Sequence, residues 1–157
     1  MFRKLLVPLD GSKLAECALP YAEELAQELR IDEIILVSVT ERTRGQRPLE
    51  EPTATGELRM VTEAVGKKQN QAQRYLNRIA RRLEAKGIKV RKQVLLWPPA
   101  EAIVAYAEQF RVDLIVMASH GRSGPSRWAY GSVADKVSRA SCIPVLMIKA
   151  PGCVPGI

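Results

Sequence analysis

The sequence predicts an α/β protein: a five-stranded parallel sheet with helices on both faces. Three observations carry that prediction. Five short runs rich in Val, Ile and Leu recur along the 157 residues. Segments with helical apolar spacing stand between them, and the inner runs are continuously apolar rather than alternating, as strands covered on both sides require. Strands that alternate with helices join by right-handed crossovers.

The first run, Lys4 to Leu9, closes in Asp10-Gly11-Ser12, residues suited to a turn and a helix cap. Apolar residues then fall at Leu14, Ala18, Ala22, Leu25 and Leu29, one stripe of a helix that Pro20 should bend. Ile34 to Val39 is β-branched and unbroken, a second strand. Residues 42–57 hold Gly45, Pro48, Pro52 and Gly56 without an apolar period, so a long loop is expected there. Leu76, Ile79, Ala80 and Leu83 mark a long helix from about Leu58 to Ala85, stopped by Gly87. Val90 to Leu96 is the third strand.

Pro98-Pro99-Ala100-Glu101 opens the next helix, since Pro is tolerated in a first turn and Glu there complements the dipole. Ile103, Tyr106, Ala107 and Phe110 give its buried side. Asp113 to Ala118 is the fourth strand, Ser132 to Ala140 a further helix, and Pro144 to Ile148 the fifth strand. One domain over 1–150 is expected, followed by a poorly ordered tail at 151–157. In open parallel sheets ligands sit outside the carboxyl ends of strands where the strand order reverses, which points to Asp10 and the residues after Met117.

Apolar residues make up 46% and charged residues 26%, a globular balance. No run approaches the roughly 20 apolar residues of a membrane span, and Pro8 and Asp10 come too early for a signal peptide, so a cytoplasmic location is expected. Cys17, Cys142 and Cys153 form no C-x-x-C pair and His120 is the lone histidine, which excludes a disulfide framework and a Cys/His zinc site. The net charge of +7 favours an anionic partner without choosing among nucleotide, nucleic acid and acidic protein.

The most informative segment is Met117-Ala118-Ser119-His120-Gly121-Arg122-Ser123-Gly124, continuing to Gly131-Ser132-Val133. A glycine-bearing loop that runs from a strand into a helix N-terminus is an anion site, because unpaired N–H groups and the dipole meet there. Ser132 either caps that helix or donates to a phosphate. Asp10 either caps the first helix or accepts from a ligand, and Arg122 suits bidentate phosphate contact, although solvated loop arginines are commoner.

The loop reads A-x-x-G-x9-G-S and resembles the nucleotide loop of ATP-binding universal stress proteins. Val7-Pro8-Leu9-Asp10-Gly11-Ser12 resembles that family's first strand end, Pro99-Ala100-Glu101-Ala102-Ile103 its third helix start, and Ile143-Pro144-Val145-Leu146 its last strand. Four segments in order are far more specific than the loop alone, which chance places in roughly one chain in ten. The resemblance implies a Rossmann-like, adenine nucleotide alpha hydrolase-like sheet with strand order 3-2-1-4-5. It implies ATP or another adenine nucleotide against Asp10 and the backbone at Val39, with phosphates at Gly121, Gly131, Ser132 and Val133; Pro8, Met117, Ala118 and Arg122 are further candidate contacts. Any Mg²⁺ would be held through those phosphates, with no metal ligands from the protein. It further implies a homodimer through Pro144 to Ile148, an unidentified protein partner, and a regulator of stress response or signalling with at most slow hydrolysis. The chain departs from the pattern at two places: Ala118 replaces the loop's first glycine, and Trp97-Pro98 stands where many relatives have a glycine.

No G-x-x-x-x-G-K-[ST] and no paired carboxylates for Mg²⁺ are present, which excludes the usual fast NTPase arrangement. Two alternatives stand beside the nucleotide reading. One is a nucleotide-independent interaction module. The other is a nucleic-acid-associated protein using Arg74, Arg78, Arg81, Arg82 and neighbouring lysines, the weaker of the two because only Tyr75 is interleaved as a stacking ring. A solvated face explains those arginines better.

Overall fold

The structure is a computed structural model that describes residues 2–40, 57–96, 98–119 and 131–149, with side chains from residue 66 onward in the second stretch. The expectations for the loop at 42–57, except Glu57, which opens a helix instead, and for Trp97, His120, Gly121, Arg122 and the tail at 151–157 lie outside the described residues. The order of elements is β1 (Lys4–Pro8), α1 (Lys13–Glu16), α2 (Leu19–Glu28), β2 (Glu33–Thr40), α3 (Glu57–Glu84), β3 (Val90–Leu96), α4 (Pro99–Gln109), β4 (Leu114–Ser119), α5 (Ser132–Ala140) and β5 (Val145–Lys149). All strand pairs are parallel and the sheet order is β3-β2-β1-β4-β5, as expected.

Successive strand residues point to opposite faces, so one continuous apolar strand feeds two cores. Leu5, Val7, Ile34, Leu36 and Val116 pack with Ala22 of α2 and with Leu76, Ile79, Ala80 and Leu83 of α3. Leu6, Ile35, Val37, Ile115 and Met117 pack on the other face with Ile103 and Ala107 of α4 and with Ala134 and Val137 of α5. Leu5 and Leu6 are both wholly buried. Each such side chain contributes about 1.5–3 kcal/mol on burial. Helices therefore cover both faces.

The helix expected from Leu14 with a bend at Pro20 is instead two helices. At Cys17 and Ala18 the bonds shorten to the i−3 pattern, Cys17 N to Leu14 O at 3.1 Å and Ala18 N to Ala15 O at 3.2 Å. A new helix then starts at Leu19 with Pro20 in its first turn. Proline has no N–H and clashes with the preceding turn, but in a first turn that N–H would lack a partner anyway, so a restart relieves what a bend would strain. The exposed side of α3 carries Arg74, Arg78, Arg81 and Arg82. Gly87, at φ +81°, follows its end in the left-handed conformation glycine adopts freely. Among the described residues no helix is long and apolar enough to cross a membrane.

The junction in the middle of the sheet is the shortest ladder. β1 pairs with β2 from Lys4↔Glu33 to Pro8↔Val37, and β4 with β5 from Ile115↔Val145 to Ser119↔Lys149. β1 and β4 share only Leu5↔Leu114 and Leu6↔Ile115. Beyond those pairs the two strands part, and a crevice opens between their carboxyl ends.

Candidate functional site

The crevice is a cavity of about 360 Å³, within the range of small-ligand pockets. β1 and the turn after it supply Pro8, Leu9 and Asp10, and α1 supplies Leu14 and Ala15. Val37 and Val39, two residues apart on one face of β2, form the adjoining wall. Met117 and Ala118 come from β4, Pro99 and Ile103 from the start of α4, and Gly131, Ser132, Val133 and Ala134 from the entry to α5. Most of this lining is apolar and suits the faces of a flat ring. The polar groups stand at the rim.

Asp10 is exposed, and its position is set by a local turn. Its Oδ1 accepts from the Ser12 backbone N–H at 2.9 Å and from the Ser12 hydroxyl. Gly11, at φ +86°, makes the reversal possible without a Cβ penalty. Ser12 itself caps α1, its Oγ accepting from Ala15 N at 3.1 Å. The helix-cap role considered for Asp10 thus belongs to Ser12. Among the described residues Oδ2 of Asp10 has no donor, so one carboxylate oxygen is left for a ligand hydroxyl or amine.

α5 begins with Gly131 as its N-cap, at φ −49° and ψ 134°, and Ser132 as its first helical residue. Ser132 therefore does not cap this helix, and its side chain is exposed at the cavity rim. A glycine N-cap offers no side-chain acceptor for the first-turn N–H groups, which makes this end of a nine-residue helix receptive to an anion. Asp135 in the same turn pairs with Arg139 at 3.0 Å.

Behind α1, the Tyr75 hydroxyl of α3 donates to Glu16 Oε1 at 2.9 Å. Burial foremost, and then the Glu16 carboxylate, push the Tyr75 phenol well above its ordinary value of 10.0. Among the described residues no three His, Cys, Asp or Glu side chains converge as a metal site.

The structure thus brings Pro8, Asp10, Val39, Met117, Ala118, Gly131, Ser132 and Val133 to one cavity. Gly121 and Arg122 lie outside the described residues. Sequence reasoning missed Leu9, Leu14, Ala15, Val37, Pro99, Ile103 and Ala134. Two signals were available: Val37 shares a strand face with Val39, and Pro99 opens a helix at the same sheet edge.

A family model described as the universal stress protein family matches residues 1–149. The chain belongs to that family. Universal stress protein MJ0577 of Methanocaldococcus jannaschii is 33% identical over 156 residues, covering 95% of this universal stress protein and 96% of that one. Universal stress protein MJ0531 of the same organism is 30% identical over 153 residues, covering 96% and 84%. The solved structure of MJ0577 superposes with a TM-score of 0.79 at 30% identity, covering 97% of this chain and 99% of that one. A universal stress protein solved in complex with cAMP shares the fold at 19% identity, with a TM-score of 0.62 over 95% of this chain and 98% of that one.

Proposed function

We propose that this universal stress protein binds an adenine nucleotide, ATP foremost, in the crevice between β1 and β4, and that it acts as a cytoplasmic regulator rather than a fast enzyme. The observation that carries this reading is convergence. The strand ends at Pro8 to Asp10 and Met117 to Ala118 and the helix start at Gly131 to Val133, which belong to segments resembling the family's nucleotide motif, come from distant parts of the chain, yet they line one cavity. A base fits against Val37, Val39, Ile103 and Met117, a ribose hydroxyl reaches Oδ2 of Asp10, and phosphates lie at Gly131, Ser132 and Val133, with Gly121 and Arg122 completing the loop. Mg²⁺, where it accompanies the nucleotide, is held by the phosphates. That a universal stress protein of the same fold has been solved with cAMP supports an adenine nucleotide as the class of ligand.

Regulation requires that occupancy reach another molecule. β5 is an edge strand whose Leu146 is 37% exposed, and an apolar edge of this kind is stabilised by pairing with a second copy. A homodimer through this last strand, Pro144 to Ile148, is part of this reading.

The test is direct. Freshly purified protein is denatured and the released small molecules are separated by anion exchange beside ATP, ADP and AMP; nucleotide-free protein is then melted with and without ATP. At a ligand concentration of about 100 times Kd the native state gains about 2.7 kcal/mol. For a chain of this length that corresponds to a rise in Tm of about 5–11 °C. Neither released nucleotide nor a shift would replace this reading with the nucleotide-independent interaction module.

A further inference from the structure

We infer that Tyr75, which does not line the crevice, is a positioning residue for it: its hydroxyl holds Glu16 and thereby fixes α1 as a wall of the pocket. The inference rests on the nucleotide reading above and says what sets the geometry of that site. α1 has four residues and no fully buried side chain. Its backbone bonds are local, joining Glu16 N to Ser12 O at 3.3 Å, Cys17 N to Leu14 O and Ala18 N to Ala15 O. A single turn of helix does not hold itself in water. Yet this turn supplies Leu14 and Ala15 to the cavity, and its cap residue Ser12 orients Asp10.

Among the described residues, one hydrogen bond ties α1 to a distant part of the chain: Tyr75 to Glu16, across 59 positions of sequence. The Tyr75 end of that tie is rigid. Its ring packs against the core beside the wholly buried Leu76, and the Arg78 guanidinium lies over the ring with Cζ 5.4 Å from the centroid. The phenol is kept in its neutral, donating form. A long helix anchored in the core thus braces a short one that meets the core only through partly buried side chains such as Ala15. The same tyrosine joins the pocket wall to the outer face of α3, so a ligand that displaces α1 alters the environment of Arg78.

The experiment compares the wild type, Tyr75→Phe, Glu16→Ala, Glu16→Gln and the Tyr75→Phe/Glu16→Ala double variant by calorimetric titration with ATP and by amide exchange of residues 13–18 without ligand. Tyr75→Phe and Glu16→Ala each weaken ATP binding about three- to tenfold, and the double variant loses no more than either, since contacting residues couple. Glu16→Gln retains both an acceptor oxygen and the side chain's size and keeps near-wild-type affinity, while Tyr75→Phe, which keeps the ring and loses only the donor, tells the hydrogen bond from packing. Exchange over 13–18 accelerates at least about threefold in Tyr75→Phe while the core strands stay protected. Wild-type affinity and wild-type exchange in Tyr75→Phe overturn the inference, as do additive losses. If the wild type takes no ATP, the nucleotide reading fails by itself, and unchanged exchange in Tyr75→Phe then overturns the brace as well.

Discussion

Asp10 offers the sharpest separation of binding from folding, because its two oxygens have different duties. Oδ1 serves the turn through Ser12, and in the proposed complex Oδ2 accepts from the ligand. Asp10→Asn keeps a carbonyl oxygen for the Ser12 N–H but places an amide donor where an acceptor is needed. α1 retains its own cap at Ser12, so stability should change by less than about 0.5 kcal/mol, as for an ordinary surface substitution. The ligand forfeits a hydrogen bond to a charged group, worth about 1.5–3 kcal/mol. That predicts a loss of ATP affinity of about 10- to 150-fold, read by calorimetric titration, with the urea midpoint of the nucleotide-free protein unchanged. Asp10→Ala removes the turn bonds too and should add a Tm loss of about 2–4 °C, for about 1 kcal/mol at this chain length. The reasoning is refuted if Asp10→Asn binds ATP as the wild type does, or if its affinity and stability fall together.

Two further predictions concern alkaline stability and assembly. Tyr75 and Tyr106 are both shifted above 10.0, in each case chiefly by burial, with Arg91 opposing the shift at Tyr106. A folded value above the unfolded one gives stabilisation that is complete below pH 10 and is lost as pH rises from there through the folded value, so the urea midpoint should fall between pH 9 and 11. Tyr75→Phe should flatten that fall; a profile as steep as the wild type's would show that Tyr75 is not its source. Leu146→Lys places a charge on the edge of β5 and should convert a species of twice the chain mass into one of 17.4 kDa by sedimentation. A wild type that already sediments at the chain mass would remove the dimer.

All five strands were legible because a parallel sheet covered on both faces leaves continuous apolar runs such as Ile34 to Val39. Helix boundaries were legible where a residue has one physical role: Gly87 stops α3, and Pro99 starts α4. Pro20 was not, since a proline at periodic spacing serves a kink and a restarted helix equally, and only the bonding at Cys17 and Ala18 decides. The expected residues that line the cavity sit at glycines, turns and strand ends, and apart from Asp10 and the stretch after Met117 they were expected through the family resemblance. Leu14, Ala15 and Ile103 escaped because periodicity tells which side of an element is apolar, not whether the space facing it is filled. That space arises where β1 and β4 part after Leu6 and Ile115, a property of pairing that neither run encodes alone.

The short β1–β4 ladder also bears on how the molecule comes apart. Proteins open in cooperative units whose free energies run from near zero to the global value, and a boundary with few backbone bonds is where such units separate. Here the shortest ladder lies between β1–β2–β3 and β4–β5, with Leu6, Ile35 and Val37 packing across it onto α4 and α5. An occupant of the crevice touches both sides and acts as a clasp across the seam. Under the proposed function, an occupied crevice resists sub-global opening and native-state proteolysis more than an empty one, so ligand level would set how long the protein lasts.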